Sequence, residues 1–258
     1  MADGPAYERM AGQLRTAILA GELTGRLPSL DALSARHGVT RDVARRAVEI
    51  LRGEGLVVTH QGRGTYVRVF ERIVRRSPGR LSRDQWGGGR DIQDADTGTR
   101  PRTADVVVGE VPAPDFAAAA LAVPVGRPVL ARARRFLVER RPVQLATSYL
   151  PLDVVRDTRI AYTDTGPGGI YARLDELGHG PVRFTERVTA RAPRPDEVER
   201  LELGTAVGAL VFEITRQALT GPGRCVEVNR MILDATAYEL VYDFAAGRTD
   251  PPKIMGPG

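Results

Sequence analysis

The sequence predicts an α+β protein in two folded parts: a small helical domain closed by a β-hairpin, then a larger domain built on an antiparallel sheet. Three observations carry that reading. Apolar residues recur at helical spacing in three short stretches before residue 53. From residue 104 they run mostly in strand-like segments, broken by short helical ones. Between the two, residues 70–103 hold Pro78, Gly79, the triple glycine 87–89 and many charges, with few apolar side chains. At 258 residues the chain exceeds the usual single-domain size. The expected organisation is therefore a first domain over 1–69, a partly mobile interdomain linker over 70–103 with Trp86 docking on a domain, a second domain over 104–246, and a flexible tail over 247–258.

In the first domain, Tyr7, Met10, Ala11, Leu14 and Ile18 fall on one helical face, and Gly21 ends the pattern. A second helix follows Pro28, with Ser29 as N-cap, Asp31 in its first turn and Gly38 as its stop. Thr40 caps a third, which runs to about Arg52 before Gly53 and Gly55. Leu56–His60 and Thr65–Val69 then read as a hairpin turning over Gln61-Gly62-Arg63-Gly64. In the second domain, Asp105–Val111, Pro128–Val138, Val143–Leu150, Val182–Arg191, Ala209–Leu219 and Arg224–Leu233 read as strands. Phe116–Leu121, Ile170–Leu177 and Pro195–Leu203 read as short helices. Adjacent strands favour an antiparallel sheet.

Charge narrows the function classes. The formal net charge is +5, and 36 of the 37 basic residues are arginine. Residues 1–69 carry a net +3, residues 70–103 another +3, and residues 104–258 a net −1. A polyanionic partner should meet the N-terminal third. A single cysteine, Cys225, excludes an internal disulfide, and His37, His60 and His179 are too scattered for a metal cluster; no cofactor is expected. The longest apolar run, Phe116–Val123, is too short to cross a bilayer, and no signal peptide is evident at the start. A cytoplasmic protein without membrane partners is expected.

The third helix carries the first functional pattern. Ala44, Ala47, Val48 and Leu51 form its apolar stripe, while Arg41, Arg45 and Arg52 lie opposite. A short turn separates it from the second helix, the spacing of a helix-turn-helix, whose second helix reads bases with its N-terminal residues. Arginine there can donate two parallel hydrogen bonds to a guanine edge. Asp42 sits four residues before Arg46 and is placed to pair with it. Ser29 and the amides that open the second helix can hold phosphate. The second pattern lies on the strand 128–138, where Arg132 and Arg134 share an otherwise apolar face with Leu130 and Phe136. Those two arginines either pair with carboxylates of a neighbouring strand or line a pocket for an anionic ligand. Glu227 and Asn229 share a face of a later strand and can add polar contacts.

Tyr7, Leu14, Ile18, Gly21, the LPS of 27–29, Leu33, the GVTR of 38–41, Arg45, Ala47, Leu51, the EGL of 54–56 and the QGRGTYV of 61–67 together resemble the winged helix-turn-helix of the GntR family. Arg132-Ala-Arg134, the RPVQLATSYLP of 141–151, Tyr171 with Leu174, and the CVEVNRMIL of 225–233 followed by Asp234 resemble the UTRA ligand-sensing domain of its HutC subfamily. The resemblance implies a chorismate-lyase-like fold used for binding. It implies DNA contacts from Arg41, Arg45, Gln61, Gly62 and Arg63, and effector contacts from Arg132, Arg134 and Glu227; Ser29, Thr40 and Arg46 complete the expected DNA site, and Tyr171 and Asn229 the expected effector site. The expected function is a repressor that binds a pseudo-palindromic operator as a homodimer and answers to a small anionic effector. An effector-independent repressor of plasmid transfer or replication is the alternative, and a lyase-like enzyme a remote one. The sequence departs from the family pattern at Asp31, Asp42, Val43 and Ala44, at Ala146, and at the GPGG of 166–169.

Overall fold

The computed structural model describes residues 4–60, 62–67, 72–97, 102–138, 140–203 and 209–244. The tail expected over 247–258 lies outside the described residues.

The N-terminal part is three helices and a wing: α1 (Ala6–Leu19), α2 (Leu30–His37), α3 (Arg41–Gly53), β1 (Val57–His60) and β2 (Gly64–Val67). Caps set the helix starts. Ser29 accepts from the Ala32 amide at 3.2 Å, and Thr40 accepts from the Val43 amide at 3.4 Å. Gly38, with φ of 63°, closes α2 in the left-handed region. Met10, Ala11, Leu14, Leu33, Ala44, Ala47 and Leu51 are buried together, so the helical stripes meet in one core. The pair Arg15–Glu54 ties α1 to the end of α3, with Nε 2.8 Å from Oε2. The wing has a further strand-like edge: Arg26 bridges Tyr66, and the amides of Leu27 and Val67 bond across to Thr65 and Gly25.

The C-terminal part is a six-stranded antiparallel sheet in the order β4 (Arg102–Pro112), β5 (Pro128–Val138), β6 (Arg141–Pro151), β9 (Cys225–Asp234), β8 (Val211–Leu219), β7 (Arg183–Arg191). On one face, α6 (Asp115–Leu121) packs on Val129 and Val228, and α9 (Pro195–Leu201) packs on Leu145, Val211 and Ile232. The other face carries two apolar clusters. Leu130, Leu150 and Ala218 meet α8 (Gly169–Glu176), while Phe136, Ala146, Ile214, Met231 and Leu233 meet a separate two-stranded ribbon. Between these clusters runs a cross-strand row of polar side chains: Arg132, Ser148, Asn229, Arg216 and Glu186.

That ribbon corrects the expected linker. Residues 73–97 are folded, because β3 (Ile73–Ser77) pairs in parallel with β10 (Tyr238–Tyr242). A 3₁₀ turn, α4 (Arg83–Trp86) and α5 (Asp94–Thr97) follow it. The cause is a handful of anchors too sparse to show periodicity. Ile73 and Trp86 are buried at 4% and 1% exposure, and Arg80 and Asp96 form a buried ion pair with Nη2 2.6 Å from Oδ2. Removing one member of such a pair leaves the other charge unpaired in a low-dielectric site, a cost of about 3–5 kcal/mol. Arg80→Ala is therefore expected to lose stability on that scale in denaturant unfolding. A loss below about 1 kcal/mol, the range of solvated pairs, would show that water reaches the pair in solution.

Candidate DNA interface and effector cavity

The DNA-facing candidates lie on α3, on the cap of α2 and on the wing. Arg41 and Arg45 project from the first two turns of α3, their side chains 69% and 56% exposed. Both are held by carboxylates: Arg41 Nε lies 3.4 Å from Asp31, and Arg45 lies 3.5 Å from Asp42 and 3.2 Å from Glu49. The expected Asp42–Arg46 pairing gives way to Asp42–Arg45 at i, i+3. Arg46 instead places its guanidinium 4.7 Å from the centre of the Tyr7 ring, where a weakly hydrated planar cation stacks well. Ser29 and Thr40 commit their hydroxyl oxygens to helix capping. In the wing, Gly62 and Gly64 have φ of 75° and 102°, values that only glycine adopts at little cost. A Cβ at Gly64 would also sit 2.9 Å from Arg26 Nε. Gly62 and Arg63 are exposed, and Gln61 lies outside the described residues.

On the sheet face between the two apolar clusters lies a cavity of about 550 Å³. Its floor is Arg132, Arg134, Glu227 and Asn229, and α8 contributes Tyr171. The five side chains expected at the effector site thus converge, drawn from two strands and a helix distant in sequence. Two further walls come from Gly89–Gln93, inside the stretch read as linker, and from the 163–169 loop. Period-two alternation could not place either wall, since both are irregular backbone.

The members differ in how committed they are. Arg132 donates to the carbonyl oxygens of Ile160 at 2.7 Å, Tyr162, and Thr163 at 3.1 Å, so its guanidinium shapes the neighbouring loop. Neither alternative drawn from the sequence, a strand carboxylate or the ligand alone, foresaw that use. Burial and then the nearby Arg134 pull its pKa down to about 10, which leaves it charged at neutral pH. Among the described residues Arg134 makes one side-chain hydrogen bond, from Nη2 to Ser148 Oγ at 3.1 Å. Tyr171 donates to Glu227 Oε2 at 2.6 Å, and burial pushes its hydroxyl pKa well up, so the proton stays on the tyrosine. Among the described residues Asn229 Oδ1 is buried with no hydrogen-bond partner, and the Asn229 side chain is part of the cavity lining. Among the described residues no three of His, Cys, Asp or Glu come together as metal ligands. Burial raises the Cys225 thiol to about 11, far from a reactive thiolate.

Comparison with known proteins agrees with this architecture. Residues 6–67 match the family of bacterial regulatory proteins, gntR family, and residues 96–239 match the UTRA domain. An uncharacterized HTH-type transcriptional regulator of Streptomyces coelicolor is 32% identical, over 92% of this chain and 90% of its own length. A crystal structure of a GntR-family transcriptional regulator superposes with a TM-score of 0.57 at 28% identity, covering 94% of this chain and 98% of that one. PhnF from Mycobacterium smegmatis shares the fold at a TM-score of 0.57 and 20% identity, covering 92% of this chain and 100% of its own. Among the described residues no helix is long and apolar enough to cross a membrane. The chain belongs to the GntR family of bacterial transcriptional regulators, with a winged helix-turn-helix for DNA and a ligand-binding UTRA domain behind it.

Proposed function

We propose that this regulator is a repressor that grips a pseudo-palindromic operator as a homodimer and responds to a small anionic effector in the 550 Å³ cavity. The observation that carries the effector reading is a charge imbalance. On and just behind the cavity floor, among the described residues, the guanidinium groups of Arg132, Arg134, Arg216 and Arg75 lie by the buried carboxylates Glu227 and Glu186, and the neighbouring Arg80–Asp96 pair adds no net charge. Asp91 and Asp164 are also on the walls but partly exposed, where water screens them. An anion held by Arg134 offsets the buried excess.

On the DNA side, α3 lies in the major groove with Arg41 and Arg45 at base edges, and Gly62 and Arg63 bring the wing to the neighbouring groove. Ser29, Thr40 and Arg46 support the docking, with their helix-opening amides and positive charge near the phosphates. Binding, rather than turnover, is the task of the cavity.

Trp86 offers a direct test, since it is the single tryptophan, it is buried, and its ring lies edge-on to Tyr171 at 6.2 Å. Titration with hydroxy acids, amino acids and sugar phosphates is expected to shift its emission for at least one class. The same class is expected to release the protein from DNA of its own promoter region, with random DNA as control. If none of these acids moves either signal, the effector-independent alternative replaces this reading.

A further inference from the structure

The polar row of the cavity floor continues past the cavity as a buried ionic chain. Arg216 of β8 stands cross-strand between Asn229 and Glu186 and has no exposed surface. Its Nε lies 3.4 Å from Glu186 Oε1 and its Nη2 lies 3.1 Å from Met231 Sδ. Among the described residues its Nη1 has no hydrogen-bond partner. The guanidinium carbon stands 5.9 Å from the centre of the Tyr171 ring, whose hydroxyl is bound to Glu227. Glu186 is ion-paired in turn with Arg75 of β3, a side chain 1% exposed. β3 begins at Ile73, only a few residues after the wing ends at Val67. The strand that joins the two domains is therefore moored by a carboxylate that it shares with Arg216.

Two guanidinium groups on one carboxylate compete, because each weakens the other's attraction in a medium that screens poorly. Arg216 is incompletely satisfied by Glu186 and a thioether, and a second source of negative charge lies beyond the Tyr171 ring. We propose that Arg216 couples occupancy of the cavity to the hold on β3, by dividing its charge between Glu186 and the Tyr171–Glu227 side. An anion beside Arg134 draws Arg216 toward the cavity and leaves Glu186 to Arg75, which tightens β3. Removing negative charge from the cavity returns Arg216 to Glu186 and loosens β3. The coupling follows from differential attraction in two arrangements, as any ligand-driven shift must. It rests on the effector reading of this cavity, and Arg216 acts in it as a positioning residue.

The experiment is amide hydrogen exchange of the 73–77 segment in the full chain, arranged as a double-mutant cycle. Glu227→Gln is expected to speed exchange of that segment about tenfold in an otherwise unchanged protein. In the Arg216→Met background the same substitution is expected to have no further effect, and Arg216→Lys is expected to restore it. Should Arg216→Met not fold, Arg216→Gln takes its place in the cycle. Equal effects of Glu227→Gln in both backgrounds would overturn the coupling. Inorganic phosphate, followed through Trp86 emission, separates the two readings. Phosphate that binds without slowing 73–77 exchange overturns the coupling and leaves the cavity a ligand site. No response to phosphate, or to any acid of the panel, together with a non-additive cycle, upholds the coupling while the effector reading fails.

Discussion

Arg41→Ala and Arg45→Ala are each expected to weaken operator binding by about 1–3 kcal/mol, and together to abolish discrimination against random DNA. Both side chains are exposed on the first two turns of α3, at 69% and 56%. Their ion pairs with Asp31, Asp42 and Glu49 do not oppose docking strongly, because solvated pairs contribute only about 0–1 kcal/mol each. The α3 core is formed by the opposite stripe, so both variants should keep the wild-type melting temperature. The measurement is fluorescence anisotropy on an operator fragment and a random duplex across a salt series. Each lost phosphate contact flattens the salt slope by about 1, whereas a lost base contact leaves the slope and removes the sequence preference. Wild-type operator affinity in both variants would sink this docking geometry. Asp31→Ala and Asp42→Ala, which free the same arginines, should strengthen binding modestly.

Arg132→Ala and Arg134→Ala should differ in kind, although the two arginines lie two residues apart on one strand face. Arg132 is 3% exposed and holds three carbonyl oxygens of the 160–163 backbone. Its removal leaves the buried Ile160 carbonyl without that donor and opens a cavity, a loss of roughly 3 kcal/mol. In a domain of this size that lowers the melting temperature by about 10 °C. Among the described residues Arg134 bonds Ser148, stacks on Phe136 and is part of the cavity lining, with no carbonyl held as Arg132 holds three. Arg134→Ala should fold normally and bind the effector acid roughly 100-fold more weakly, as expected when one partner of a desolvated charge pair is truncated. Paired thermal melts and Trp86 titrations of the two variants decide the matter. Equal melting temperatures with equal loss of ligand would return both arginines to the ligand.

Much of this protein was legible in its chain. The stripes of α1 and α3, the caps Ser29 and Thr40 and the glycines of the wing are local features. Each depends on neighbours within a turn or a hairpin, so spacing alone reveals it. The strands β5, β6, β8 and β9 were visible for the same reason, and an arginine on an apolar strand face marked the cavity. That signal was present again at Arg216, flanked by Ile214 and Ala218 on its own face, and it was missed.

The docking of Trp86 was expected, but the rest of the segment 73–97 was beyond such reading. Its anchors are single residues whose partners lie far along the chain: Ile73 beside Tyr238, Arg75 on Glu186, Trp86 against Tyr171. Periodicity reports a face that buries itself repeatedly, and a strap that docks at isolated points has none. The sequence by itself determined the two folded parts, the exposed arginine face of α3 and the strand faces that carry the cavity arginines. Only the tertiary structure decided that Arg132 holds the carbonyls of the 160–163 backbone while Arg134 bonds Ser148 beside the cavity. It also decided that the connection between domains is a wall of that cavity. Both outcomes are set by which carbonyls, carboxylates and rings the fold brings within a few ångströms, and no local pattern encodes that.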